Sequence, residues 1–364
     1  MNWNVRRPWV RGFRSEPFAQ RPTIGGAPML QSCLGCLLCA TLAFSASTQA
    51  GKDPKNATEW FQRADDEMNL RAPGSTPFHM KVAFHALPGL VLDKEESAQI
   101  ISGDGTYEET WVAPRRWRRE VTLGSYHAVE VQSQTARKMQ ASSEYEPSRV
   151  LMLLEALLYP IPRDLSSPSL SEGHQKWKIE NGAVGGLSYV RISRTSGPQD
   201  VVHTYLFLPT GVLVQSVEVG IVTSWQDQTS FGGKLVPRHF GVQGGTRELL
   251  TAHLTVEPAG TVNPAAFELP GESAEPGTTL RPIHAHEYSL SLPMTTYSWG
   301  GSQVLTRGII RHILDRHGVT REVEVLDSPN PEALETFLRL IRGDRFHPAK
   351  IDKSPCEVAL WKAW

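Results

Sequence analysis

The sequence predicts an α+β protein built on a large antiparallel β-sheet or barrel, followed by a small β-β-α-β module. Three observations carry that prediction. Between Phe78 and Val256 the chain breaks into short runs of alternating apolar and polar residues, among them "FHMKVAFHA", "RWRREVTLG" and "VLVQSVEVG", separated by Gly, Pro and Ser. Short strands at that spacing pair through hairpins rather than through crossover helices. One segment interrupts them: "EPSRVLMLLEALLYP", Glu146 to Pro160, is apolar on nearly every side from Val150 to Tyr159. It is too short to span a membrane and too apolar for a surface helix, so the concave face of the sheet is expected to enclose it. Beyond Pro293 the pattern changes again, to two strands, a helix and a strand.

The length of 364 residues exceeds what one average core needs and favours two domains. Hydrophobic residues at 40% and charged residues at 21% are globular proportions. The net charge of −1 is unevenly spread. Residues 1–50 hold Arg6, Arg7, Arg11, Arg14 and Arg21 against Glu16, a balance of +4, which leaves −5 for the remainder and argues against a nucleic-acid partner. The basic stretch precedes an uncharged apolar run from Met29 to Ala46 and then small residues, the order of a secretory signal, with cleavage expected after Ala50. A run of ~18–20 apolar residues also just spans a bilayer, so an uncleaved inner-membrane anchor is the alternative. Cys33, Cys36 and Cys39 lie inside that run and read as small apolar residues rather than as a metal motif. Removing the leader leaves Cys356, which by itself makes no internal disulfide.

From Asp53 to Arg71, Trp60, Phe61, Ala64 and Met68 recur at helical spacing, with Thr58 as the expected N-cap. The strands then follow. Residues 270–300, rich in Pro, Gly and Ser, read as a linker. In the last module, Ile309, Ile310, Ile313 and Leu314 suggest a strand, and His317-Gly318 a hairpin turn. Val319, Val323 and Val325 mark the second strand. Pro331 opens a helix with Leu334, Phe337, Leu338 and Ile341 on one face, which Gly343 stops, and Cys356, Val358 and Leu360 alternate as a final strand.

No nucleophile elbow, phosphate loop or zinc-helix motif appears, and the chain reads as a non-enzyme with no cofactor and no metal. His284 and His286 lie in the linker. His79 with His85, and His312 with His317, have no carboxylate at a persuasive spacing along the chain. Arg115 to Arg119, "RRWRR", reads either as a basic run for lipid head groups or as a solvated strand edge. Phe84, Tyr107, Trp111 and Trp117, with Leu154 of the enclosed helix, are candidates to line an apolar concavity. The alternative is that they fill an ordinary β core.

Two resemblances bear on function. Residues Arg307 to Trp364 resemble the C-terminal domain of TonB-type energy transducers. The motifs are Asp315-Arg316-His317-Gly318, the run Val323 to Ser328, the Asn-Pro before the helix, and Arg345-Phe346-His347-Pro348-Ala349 before the last strand. The resemblance implies docking by an exposed final strand, with Arg345, Phe346, Pro348, Val358 and Leu360 as docking residues. The implied partner is an outer-membrane receptor or another envelope protein, or a second copy of the chain. A "YP-x-x-A" element, a long Pro-Lys spacer and any histidine within residues 1–50 are missing, which argues against coupling to a proton motor. Residues 55–268 resemble the periplasmic lipoprotein-carrier group, LolA. The resembling stretches are Gly105 to Val121, Tyr145 to Pro162 and Ser230 to Phe240. That resemblance implies an unclosed half-barrel with helical lids that shelters an apolar or lipid-like ligand.

The expected organisation is a leader at 1–50, a half-barrel at 51–269, a linker at 270–300 and a docking domain at 301–364, in an exported periplasmic protein. The alternative is an inner-membrane-anchored, TonB-like transducer facing the periplasm.

Overall fold

The computed structural model describes residues 54–88, 101–158, 160–161, 177–269 and 309–363, apart from 135–136, 144–145, 185, 197–200, 219–220, 246, 328–333, 336–337, 340, 342, 344–345, 352–353 and 357. Helix α1 (Ala57–Met68) turns Trp60, Phe61, Ala64 and Met68 inward. Its cap is Asn56 rather than the expected Thr58, which sits inside the first turn. Asn56 Oδ1 accepts from Glu59 N at 2.9 Å, and the Glu59 carboxylate accepts in return from Lys55 N and Asn56 Nδ2. This is a reciprocal cap like a capping box, with the return bond made to the backbone N–H of the residue before the cap.

The strands β1 (Phe78–Ala86), β2 (Gly103–Ala113), β3 (Arg116–Leu123), β4 (Tyr126–Gln132) and β5 (Arg137–Ala141) form one meander. A second runs through β6 (Lys178–Val184), β7 (Leu187–Ser196), β8 (Val201–Phe207), β9 (Leu213–Glu218), β10 (Ile221–Phe231), β11 (Lys234–Gly244) and β12 (Arg247–Pro258). β1 pairs with β12 and joins them into one antiparallel sheet of twelve described strands, ordered β5-β4-β3-β2-β1-β12-β11-β10-β9-β8-β7-β6. No pairing between β5 and β6 closes it among the described residues, so the sheet is open.

Alternation sorts the side chains. In β1, Phe78, Met80, Val82, Phe84 and Ala86 are buried, whereas Lys81 and His85 face outward. A one-residue slip would exchange the two sets, so the inner face dictates the register. Phe84 lies directly across from Gly105 of β2. A Cβ at Gly105 would fall 2.2 Å from the Phe84 ring, which is why that position is glycine.

Helix α2 (Ser148–Leu158) lies in sequence between the sheet's two edge strands, β5 and β6. As expected it is enclosed: Val150, Met152, Leu153, Leu154 and Ala156 belong to the same core as the inner face of the sheet. Burying five such side chains contributes on the order of 5–10 kcal/mol against leaving them exposed.

In the C-terminal module, β13 (Ile309–Leu314), β14 (Thr320–Asp327) and β17 (Val358–Ala363) form an antiparallel sheet ordered β14-β13-β17. Leu334, Leu338 and Ile341 are helical and pack on Val325. Gly343 is itself helical rather than the residue that stops the helix. Cys356 also departs from expectation. It lies in β16 (Ser354–Cys356), paired with β15 (Ala349–Ile351), so the final strand begins at Val358. The β13–β14 turn is the one anticipated: Asp315 Oδ1 accepts from His317 N and Val319 N, and Gly318 has φ +75°. Gly318 is required twice over, because a Cβ there would lie 1.8 Å from the carbonyl oxygen of Phe346.

Candidate functional site

Phe84, Tyr107, Trp111, Trp117 and Leu154 come together in one core on the inner face of the sheet, each at most 8% exposed. Trp111 stacks on Phe78 with ring centroids 5.6 Å apart, and Trp117 carries the guanidinium of Arg119 over its ring at 4.1 Å. Among the described residues, α2 packs directly against the inner face of the sheet. The cavity bounded by Met68, Leu70, Met80, Leu157, Trp225 and Leu254 holds about 30 Å³, room for a water and not for an alkyl chain.

A group of charges sits among these apolar residues that the sequence did not single out. Glu109 of β2 is fully buried, on the inner face with Tyr107 and Trp111. Arg71 Nε donates to its two oxygens at 3.0 and 3.1 Å and Arg71 NH2 donates as well. Arg119 Nε donates at 3.0 Å and the Tyr107 hydroxyl at 3.1 Å. Burial alone would push the Glu109 carboxyl up, but Arg71 and Arg119 outweigh it and hold it down at about 2. Burial, followed by the charge of Glu109, pushes the Tyr107 phenol well up, so it stays a donor. The signal available in the sequence was parity: Glu109 falls on the same alternation as Tyr107 and Trp111, and Arg119 is its cross-strand neighbour in a β2–β3 hairpin.

These charges also fasten the helix. Arg71 NH1 donates to Leu157 O at 3.2 Å, and Trp225 Nε1 to Ala156 O at 3.2 Å, so two of the last carbonyls of α2 are satisfied from the sheet and from the turn after α1. At the other end Arg149 is fully buried. Its two terminal nitrogens donate to Glu324 of β14 at 2.8 and 2.6 Å, and its Nε to Leu87 O at 2.9 Å. A cation in the first turn opposes the helix dipole, and the bidentate carboxylate offsets it. α2 is therefore held at both ends by polar contacts and packed between them by apolar ones.

"RRWRR" does not act as a unit. Arg119 points inward to Glu109, Arg118 pairs with Glu120 at 3.1 Å, and Arg116 lies over Phe267 at 4.9 Å. Arg115 is exposed at the β2–β3 turn, and β3 lies between β2 and β4 rather than at an edge. The histidines of β1 do have carboxylates, supplied across strands rather than along the chain. His85 Nδ1 is 2.7 Å from Asp104, and His79 lies 3.6 Å from both Glu108 and Glu257. Among the described residues no group of three or more His, Cys, Asp or Glu is placed to hold a metal ion. His284 and His286 lie outside the described residues.

Of the docking candidates, Phe346 is buried beside His312, with ring centroids 5.6 Å apart, and Phe346 N donates to Gly318 O. Pro348 is partly buried. Val358 and Leu360 pair with Leu314 and His312 in β17, which has one neighbour in the described sheet and so forms its edge. Arg345 and the apolar run Met29 to Ala46 lie outside the described residues. No described helix is long and apolar enough to cross a membrane.

No family model and no curated protein matches the chain. Among solved structures, it is similar to a LolA superfamily protein from Nitrosomonas europaea, at 9% identity and a TM-score of 0.31 over 59% of this chain and 99% of that one. It is similar to a DUF1329 family protein from Desulfovibrio piger at 8% identity and a TM-score of 0.37, covering 60% and 98%. MucB in complex with MucA(peri) matches at 10% identity and a TM-score of 0.27, covering 85% and 94%.

Proposed function

We propose that this chain is a non-catalytic cell-envelope protein, exported to the periplasm, whose open sheet holds an apolar or lipid-like ligand under α2 and whose C-terminal module docks a partner. The observation that carries the reading is the lid. A helix apolar on almost every side lies against the inner face of an unclosed sheet, and its ends are held by a few hydrogen bonds. In the closed state α2 supplies the apolar contacts that an acyl chain would supply. Phe84, Tyr107, Trp111, Trp117 and Leu154 become the ligand contacts once the lid lifts. The edge position of β17 supports docking by strand addition, with Val358 and Leu360 on the added edge and Phe346 and Pro348 shaping the corner before it. The partner class is an outer-membrane receptor or another envelope protein, with self-association as the competing use of the same edge.

Native mass spectrometry of protein purified gently from its own envelope, paired with titration of a fluorescent fatty acid into delipidated protein, tests the carrier reading. Co-purified lipid and saturable uptake that quenches tryptophan emission are expected. Absence of both would sink it.

A further inference from the structure

The twelve-stranded sheet is open at a second place, in its middle. β11 runs from Lys234, but its ladder to β12 reaches only from Gly244↔Arg247 to His239↔His253. Beyond that point β11 stays paired with β10 as far as Lys234↔Phe231, while β12 stays paired with β1 as far as Pro258↔Phe78. The two central strands thus part company, each keeping its outer neighbour. The residue responsible is Pro237, which has no N–H to give a ladder and sits two places past the last pair. The gap is a groove of about 360 Å³. Phe231, Val236, Leu254 and Val256 form its apolar walls, and Arg238, His239 and His253 stand at its side. Val236 and Leu254 also bound the small cavity beneath α2, so these two side chains separate the groove from the core.

We propose that this groove binds a single-chain amphiphile with an anionic head, and that it is a lateral route to the space under α2. The proposal deepens the carrier reading and takes its class of ligand from it. Tail and head are assigned by chemistry. The apolar walls suit a chain of modest length, since the volume lies near the lower end of ligand-sized clefts, ~300–1,000 Å³. Arg238, His239 and His253 give the rim three groups able to donate to an oxyanion. The competing acid is Asp227, 4.0 Å from Arg238 and 3.8 Å from His239. Its contact with Arg238 joins two side chains that are 49% and 59% exposed, so it is weak enough to exchange for a ligand head.

The probe is photoreactive dodecanoate, with photoreactive dodecanol as its uncharged counterpart, applied to the full chain and mapped by peptide mass spectrometry. Dodecanoate is expected to label residues 230–239 and 254–256. Arg238→Glu, at an exposed position, should weaken dodecanoate about tenfold, the worth of one charge-assisted hydrogen bond, and leave dodecanol unchanged. Val256→Lys should weaken both probes. Labelling confined to Trp111 and Leu154, with Arg238→Glu neutral, overturns the groove and leaves the carrier reading standing. Failure of the wild-type chain to bind either probe overturns both.

Discussion

The two ends of α2 are held by arginine in opposite ways. At the C-terminal end Arg71 serves Glu109, Leu157 O and, through Glu109, Arg119 and Tyr107, so the attachment is a network on the inner face of the large sheet. The network agrees with the helix dipole, which favours a cation near the last carbonyls. At the N-terminal end Arg149 opposes the dipole and depends on Glu324, 175 residues away in the C-terminal module. The first attachment is part of how the sheet folds. The second exists only when the C-terminal module is in place, so one end of α2 is held from outside the large sheet. In both, the carboxylate is buried, and a buried charge left alone costs far more than the pair gains.

Removing the centre of the network should do most damage. Glu109→Leu removes the carboxylate that Arg71 and Arg119 share, leaving Arg71 its bond to Leu157 O and Arg119 its 3.9 Å contact with Glu130, and is expected to cost about 3–5 kcal/mol, read as a lower urea midpoint followed by tryptophan fluorescence. A loss below about 1 kcal/mol would break the comparison, because Glu109 would then be no different from a surface ion pair. Glu324→Leu strands Arg149 alone, which keeps its bond to Leu87 O. A smaller destabilisation is expected, together with faster proteolysis of the C-terminal module. The double change Arg149→Met with Glu324→Leu should regain most of that loss, and a double variant no better than the single one would show that the two side chains are not coupled.

The smallest effect is that of acid. Glu109 titrates at about 2 in the folded chain against an ordinary 4.5, so its stabilisation is complete above about 4.5 and is lost as pH falls toward 2. At ~1.4 kcal/mol for each pH unit between those values, the loss approaches roughly 3 kcal/mol by the end of the interval. Denaturation midpoints measured across that window for wild type and Glu109→Gln check it, since the variant should lack this part of the slope.

Much of the architecture was legible because periodicity is local. Alternation in β1 and β2 identified the strands and their inner residues, and Phe84, Tyr107, Trp111, Trp117 and Leu154 do meet in one core. The Asp315 to Gly318 turn was readable because the positive φ and the side-chain bonds of Asp315 belong to adjacent residues. The cap of α1 was misplaced by two residues because Asn56 and Thr58 are both capping residues, and only Glu59, closing back on Asn56, decides between them. The inward turn of Arg119 within "RRWRR" was not legible because a run of like residues in a strand is divided between faces, with different partners on each.

By itself, then, the sequence determined the stranded character of the large sheet, which helix is enclosed and where the β13–β14 turn falls, since each depends on spacing within a few residues. Tertiary structure alone decided which side chains of the sheet α2 packs against, that Glu109 sits between two arginines, and that Arg149 reaches Glu324. These pairings join segments far apart in the chain, and a buried charge shows its partner only once the chain has closed around it. Pro237 lies between the two cases: the sequence shows a strand residue without an N–H, and the fold shows that β11 and β12 separate there.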